Sequence, residues 1–136
     1  MSSIIDYIHT LPELFALQGT DETQISQAES RLGTHFDAEY RDYLSAFGCI
    51  SYGIHELTGL CASTRLNVVN ATQAALTANP DIPRTYYVIE EIGMDDTLIW
   101  QSPEGEVYMS VPGESPSKIA NGLLDYLRGT VGRGEV

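Results

Sequence analysis

Six carboxylates occupy one short stretch of the chain, from Tyr86 to Val111, which contains no Lys or Arg. A pair of carboxylates can cleave a glycosidic bond, several together can bind a cation, and a dense group attracts a basic partner. Asp95 and Asp96 are adjacent residues of a predicted turn, and neighbouring turn side chains usually point apart. We therefore expect no catalytic pair. The choice that remains is between a solvated acidic rim and a surface for a basic partner. The candidate partner-binding residues are Glu90, Glu91, Asp95, Asp96, Glu104 and Glu106, with Glu56 added from an earlier segment.

Residue spacing gives little support to other chemistry. His9, His35 and His55 are scattered, and neither a His-x-x-x-His nor a Cys-x-x-Cys spacing occurs. The stretch around Asp95 and Asp96 lacks the regular ligand spacing of a calcium loop. The sequence contains no Gly-rich phosphate loop and no Gly-x-Ser-x-Gly nucleophile elbow. We therefore predict a protein that is not an enzyme and that uses no metal and no cofactor.

The charge balance limits the class of partner. Seven Lys and Arg residues oppose 19 Asp and Glu residues, so the formal net charge is -12. Nucleic acids and anionic membrane surfaces are bound through Lys and Arg, and we expect neither as a partner. No apolar run approaches the roughly 20 residues that span a bilayer, and the N-terminus lacks the basic region of a signal peptide. The expected location is the cytoplasm.

Cys49 and Cys61 are the two cysteines of the chain. They are close enough in sequence to form one bridge, but a cytosolic domain of this size does not need one. Their expected role is that of two buried, small hydrophobic residues.

Apolar residues at helical spacing predict helices at both ends and in the middle of the chain. In residues 4–17 the helical face is Ile4, Ile8, Leu11 and Phe15, and Pro12 either kinks this helix or opens a second one. A second helix is predicted at residues 22–32, with Gly33 as its stop, and a third begins after the cap Asp37. Two more are predicted at residues 66–78, with Asn67 as a candidate cap, and at residues 116–128, capped by Ser115 or Ser117.

The helix that follows Asp37 carries an apolar stripe of Tyr40, Tyr43, Leu44 and Phe47. A stripe of this kind is either a binding face or part of the core, and this spacing favours the core. Trp100 presents the same choice between a core residue and an exposed interface anchor. Its strand is apolar on both faces, so we expect a central strand and a core role.

Three strands joined by two turns predict an antiparallel sheet: residues 86–92, 97–101 and 106–111. Residues 93–96 form one turn, and residues 102–105 have the residue order of a type I turn. Alternation in the last strand predicts one buried and one wet face, and residues 49–60 predict an irregular strand leading to a turn at Thr58 and Gly59. The resulting fold is one α+β domain over residues 1–136, with an antiparallel sheet flanked by N-terminal helices, a middle helix and a C-terminal helix. Its core covers about residues 22–128, and residues 129–136 form a frayed tail.

Several of these segments together resemble the SUKH superfamily, which groups fungal cell-wall regulators with many bacterial toxin-immunity proteins. The resemblance covers about residues 22–128. It rests on YLSAFG at 43–48, ELTGL at 56–60, YVIE at 87–90 before Gly93, the strand of Trp100, the Gly105 turn before Val107 and Tyr108, and the closing amphipathic helix.

The resemblance implies a fold and a binding role rather than a reaction, since the family is not known for catalytic residues. Its bacterial members often neutralise a cognate toxin, frequently a nuclease, by stoichiometric binding. The predicted function is therefore that of an intracellular immunity protein whose partner is a basic toxin domain, in the form of a monomer or weak homodimer. The alternative is a regulatory or scaffold module like the fungal members.

Overall fold

A computed structural model of the protein describes residues 3–92 and 96–134, with side chains up to residue 130. These residues form five helices and seven strands. In chain order they are α1 (Ser3–Ile8), β1 (Phe15–Gln18), α2 (Glu22–Leu32), α3 (Ala38–Ala46), β2 (Phe47–Tyr52), β3 (His55–Glu56), α4 (Val68–Ala78), β4 (Tyr87–Ile92), β5 (Thr97–Gln101), β6 (Val107–Ser110), β7 (Ser117–Ala120) and α5 (Leu123–Gly134).

The strands are divided between two antiparallel sheets. One has the order β1-β2-β3, and the other is a meander with the order β4-β5-β6-β7. A bridge between Leu57 and Glu90 connects the first sheet to the second. The predicted class, a single α+β domain with antiparallel pairing, is confirmed.

Apolar side chains cover both faces of the four-stranded sheet. On one face, Ile89 and Ile99 belong to the larger core, which also holds residues of α1, α2, α3 and α5. On the other face, Val88 and Trp100 pack with Ala75 of α4 in a smaller core. Neighbouring residues in a strand point to opposite faces, and β5 is therefore buried on both sides. The expectation of a central strand with Trp100 in the core is confirmed, since its side chain is 0% exposed.

The helix limits follow the capping residues. Asp21 accepts a hydrogen bond from the backbone N–H of Gln24 and forms a capping box at the start of α2. Gly33 ends this helix in the left-handed conformation, with φ of 70°. Asp37 caps α3 and Asn67 caps α4, each by accepting backbone N–H groups. The predicted helix at residues 22–32, its stop at Gly33 and the caps predicted at Asp37 and Asn67 are confirmed, and the Asp21 cap is an addition that the sequence pattern did not predict.

The helix predicted at residues 4–17 is wrong in its second half. The chain leaves the helix after Ile8, and β1 follows as an edge strand in which Phe15 is 64% exposed. Pro12 has no N–H for a continuing helix, and Glu13 has a positive φ of 57° that turns the chain. The helical spacing of the apolar residues therefore continues past the point where the backbone stops being helical.

The helix predicted at residues 116–128 is also wrong in its first half, and its proposed serine caps do not cap it. Residues 117–120 pair with β6 as the fourth strand of the meander, and α5 begins only at Leu123. Pairing with a neighbouring strand overrides a local helical pattern, because it satisfies backbone groups that the isolated segment cannot satisfy. The same helix then continues to Gly134, through residues that were predicted to belong to a frayed tail.

Two local expectations about turns and faces also need correction. The first sheet turns at Gly53 and Ile54, whereas Thr58 is buried and only 1% exposed. The expectation that β6 has one buried face and one wet face is wrong. Met109, on the face expected to be buried, is 37% exposed, and Ser110, on the face expected to be wet, is buried. Burial of the Ser110 hydroxyl is tolerated, because its oxygen accepts a hydrogen bond from the indole N–H of Trp100 at 2.9 Å.

Candidate functional site

An acidic cleft of about 870 Å³ lies where the end of α4, the β4–β5 end of the sheet and the β6–β7 loop meet. Four carboxylates line it, each from a different segment: Asp81, Glu91, Asp96 and Glu114. All four residues are exposed. Among the described residues, no Lys, Arg or His lines the cleft, and none of these four carboxylates forms an ion pair. The acidic cleft therefore presents a concentration of uncompensated negative charge.

Asp81 reaches the cleft from the loop that follows α4. Arg84 holds this loop by donating hydrogen bonds to the carbonyl oxygens of Leu76, Asn79 and Ile82, at 2.8, 2.7 and 2.8 Å. The guanidinium is therefore committed to backbone oxygens at the end of the helix, where positive charge is stabilising. Asp81 lines the cleft from this loop and has no ion-pair partner in the part of the chain described here.

Glu114 lies on a turn between β6 and β7. Its backbone N–H donates to the carbonyl oxygen of Val111 at 3.2 Å, and Gly113 supplies a φ of 84°. Asp96 is the turn residue immediately before β5 and has a φ of 54°, in the left-handed region that aspartate tolerates better than most residues. Both carboxylates thus sit on tight turns at the same end of the sheet.

A β-bulge in β4 decides the positions of Glu90 and Glu91. Val88 pairs with Trp100, but Glu90 pairs with Ile99, so the register shifts by one residue at Ile89. Glu90 consequently points to the larger core together with Ile99. Glu91, opposite Leu98, points to the acidic cleft.

The expectation that Glu90 belongs to a solvent-facing rim is wrong. Glu90 is 2% exposed, and its carboxylate accepts hydrogen bonds from Nδ1 of His55 at 2.8 Å and from the hydroxyl of Tyr126. The imidazole also stacks on Tyr52, whose hydroxyl is hydrogen bonded to Thr130. A buried carboxylate requires such partners, and the interaction connects β3, β4 and α5 rather than forming a surface for a partner.

The other predicted residues are not gathered in one place. Glu106 is bonded to the hydroxyl of Tyr108 at 2.8 Å and to the ammonium of Lys118 at 3.0 Å; these two contacts, Tyr108 first, hold the pKa of its carboxyl below the ordinary value. Glu56 forms an ion pair with Arg65 at 2.9 Å.

Glu104 is exposed on the turn before β6 and lies outside the lining of the cleft. Asp95, with Gly93 and Met94 of the turn predicted at 93–96, lies outside the described residues. The structure thus places Glu91 and Asp96 of the predicted set in the acidic cleft and divides the remainder among other environments.

Sequence reasoning missed Asp81 and Glu114. Each follows a proline in a loop adjoining the sheet, in Asn79-Pro80-Asp81 and Pro112-Gly113-Glu114. These turn signals were the available clue, but they give the local backbone and not which loops meet at the same end of a sheet.

The described residues give no positive sign of a metal centre, since no three His, Cys, Asp or Glu side chains among them are close enough to hold an ion. In the described part of the chain, none of the helices has the length and apolar character that crossing a bilayer requires.

The fold and cleft define an α+β domain with an acidic recess at one end of its main sheet. Residues 1–131 match the family model SUKH_5, described as SMI1-KNR4 cell-wall, and the chain therefore belongs to this family. No curated protein matches the chain. The predicted SUKH resemblance is confirmed.

Proposed function

We propose that this protein is an immunity protein that binds a basic toxin domain, with a nuclease as the expected toxin class. Binding is stoichiometric and involves no turnover, in keeping with a family that is generally non-catalytic. The contact surface is the acidic cleft. The observation that carries the proposal is the convergence of Asp81, Glu91, Asp96 and Glu114 without any cation among the described lining residues.

The positive charges that the structure describes near other carboxylates are already engaged. Arg41 pairs with Glu22, Arg65 with Glu56, and Lys118 with Glu106. The acidic cleft differs from those places, because its four carboxylates have no ion-pair partner among the described residues. A cleft lined by one sign of charge focuses its field and speeds the approach of an oppositely charged partner.

A basic nuclease domain fits this potential, because an enzyme that holds phosphates must carry Lys and Arg. Complementary charge raises association rates toward about 10⁸–10⁹ M⁻¹s⁻¹ at low ionic strength. Rapid capture is useful for a protein that must neutralise a toxin arriving in the same compartment. The apolar lining of the cleft includes the partly exposed Ile92 and Leu98, which supply surface that becomes buried on contact.

The test is co-expression of this chain with a basic nuclease toxin domain taken from a gene adjacent to its own, and the lack of any such gene would itself count against the immunity function. We expect the chain to restore growth of cells that express the toxin and to form an equimolar complex with it. Absence of protection and of a complex, with both proteins folded, would remove the immunity function. The same result would favour the second candidate, a regulatory or scaffold module. The family description, which refers to the cell wall, supports this alternative.

A further inference from the structure

Cys49 and Cys61 are brought together by the fold. Cys49 lies in β2 and Cys61 in the loop after β3, and their Sγ atoms are 2.7 Å apart with both thiols free. Cys49 is 4% exposed, whereas Cys61 is half-buried. The pair is therefore not simply two small residues in a core, since Cys61 is partly exposed and Cys49 is buried against it.

The surrounding backbone holds the two sulfurs in this position. The N–H of Leu60 donates to the carbonyl oxygen of Gly48 at 2.8 Å, which ties the Cys61 loop to the strand of Cys49. Gly59 makes this approach possible, because a Cβ at that position would lie 1.8 Å from the Gly48 oxygen. Joining the sulfurs consequently needs little change in the backbone.

Access to the pair is from the Cys61 side. Cys61 lines a cleft of about 370 Å³ together with the polar side chains of Gln24, Gln27 and Arg31. Burial raises the pKa of the Cys49 thiol, and a thiol reacts as its thiolate. A small oxidant in solution therefore meets Cys61 first, with Cys49 in place to react second.

We propose that Cys49 and Cys61 form a reversible intramolecular disulfide, with a low-molecular-weight disulfide such as glutathione disulfide as the oxidant. The Cys61 thiolate attacks one sulfur of the oxidant, breaks its S–S bond and releases one glutathione. Cys49 then attacks Sγ of Cys61 and its proton passes to the departing thiolate, which forms the protein disulfide and releases the second glutathione. Two protein thiols are oxidised while one glutathione disulfide is reduced to two glutathiones.

The bond closes a loop that contains the β2–β3 hairpin, including His55, and the bridge residue Leu57. A cross-link across a loop of this size lowers the entropy of the unfolded chain. We expect the oxidised protein to melt about 10 °C above the reduced protein. Oxidation therefore stabilises the folded protein relative to the unfolded chain.

The test equilibrates the purified full-length chain with glutathione disulfide, blocks remaining thiols with a maleimide under denaturing conditions, and measures the intact mass. We expect oxidised wild-type protein to take up no maleimide and to have lost two hydrogens, with both thiols labelled after reduction. The Cys61→Ser variant is the matched control, and oxidation should leave its melting temperature unchanged.

Three results would each overturn the proposal. One is wild-type protein that keeps both thiols free in glutathione disulfide. Another is a glutathione adduct that persists on Cys61 without conversion to the internal bond. The last is oxidation that yields only covalent dimers, which non-reducing electrophoresis reveals.

Discussion

Nδ1 of His55 lies 2.8 Å from Oε2 of Glu90, and this contact joins the small sheet to the large one within the protein core. Glu91, the next residue, lies on the opposite side of the same strand and lines the acidic cleft. Two adjacent glutamates therefore have separate roles. One stabilises the packing of β3, β4 and α5, and the other contributes charge to the proposed binding surface.

The first prediction contrasts these neighbours. Glu90→Ala should lower the free energy of unfolding by about 3 kcal/mol, because it removes a buried carboxylate that accepts hydrogen bonds from His55 and Tyr126 and leaves a cavity between β3, β4 and α5. Glu91→Ala, at an exposed position, should change it by less than about 0.5 kcal/mol. Urea denaturation of the two variants measures the difference, and equal effects would contradict the assigned positions.

The second prediction concerns Trp100. Trp100→Ala should cost roughly 3–5 kcal/mol, since it empties the smaller core and leaves the Ser110 hydroxyl without its indole donor. Met109→Ala is the control on the neighbouring strand, where the partly exposed side chain should contribute much less. Thermal or urea unfolding tests both variants. A small loss of stability at Trp100 combined with loss of partner binding would make it an interface residue instead.

The third prediction concerns charge in the acidic cleft. Reversal of Glu91 and Glu114 to Lys should slow association with the basic partner roughly tenfold at low ionic strength and flatten the salt dependence. Asp96→Asn is the suitable change at Asp96, because Asn tolerates its left-handed backbone whereas Lys does not. Stopped-flow or surface binding kinetics at several salt concentrations measures the effect.

Two matched controls separate the cleft from negative charge in general. Asp42→Lys changes an exposed residue of α3, and Glu104→Lys changes an exposed residue that the sequence predicts to bind the partner. Neither lines the acidic cleft, so each should reduce the association rate much less than the Glu91 and Glu114 reversal. If Glu104→Lys has the larger effect, the contact surface is the turn before β6 and not the cleft.

The fourth prediction concerns alkaline pH. Burial raises the pKa of Tyr40, Tyr43 and Tyr87 well above the ordinary value of 10.0. These groups stay neutral in the folded protein, and their contribution to stability is complete below pH 10. It is lost as the pH rises above 10, where the unfolded chain releases the protons but the folded protein retains them.

The expected loss of stability at pH 11, relative to pH 9, is about 4 kcal/mol for the three tyrosines together. Denaturant unfolding at each pH measures it. Absorbance of the phenolate should show these three groups ionising only when the chain unfolds. Ionisation of all eight tyrosines while the circular dichroism spectrum remains native would contradict the assigned burial.

Local signals predicted much of the fold because their causes are local. Asp37 and Asn67 cap helices through backbone N–H groups only a few residues away, and Gly33 ends α2 through its own backbone conformation. The apolar strand around Trp100 required burial on both faces, and its central position follows. Such features need no knowledge of what lies elsewhere in the chain.

The predictions failed where contact with a segment that is distant in sequence determines the local structure. Residues 117–120 have apolar spacing that suits a helix, but β6 offers them an edge to pair with. The bulge at Ile89 moves Glu90 into the core, and no local pattern marks it. The thiols of Cys49 and Cys61 meet because Gly48 and Gly59 let two backbone segments approach.

The sequence by itself determined the α+β class, most element positions, the family and the acidic charge, because composition, periodicity and capping are properties of short segments. Tertiary structure alone decided which carboxylates act together. It placed Asp81 and Glu114 in the same cleft as Glu91 and Asp96, buried Glu90 against His55, and paired Glu106 with Lys118. The physical reason is that electrostatic and hydrogen-bond partners are chosen by distance in space, which the packing of sheets and loops sets.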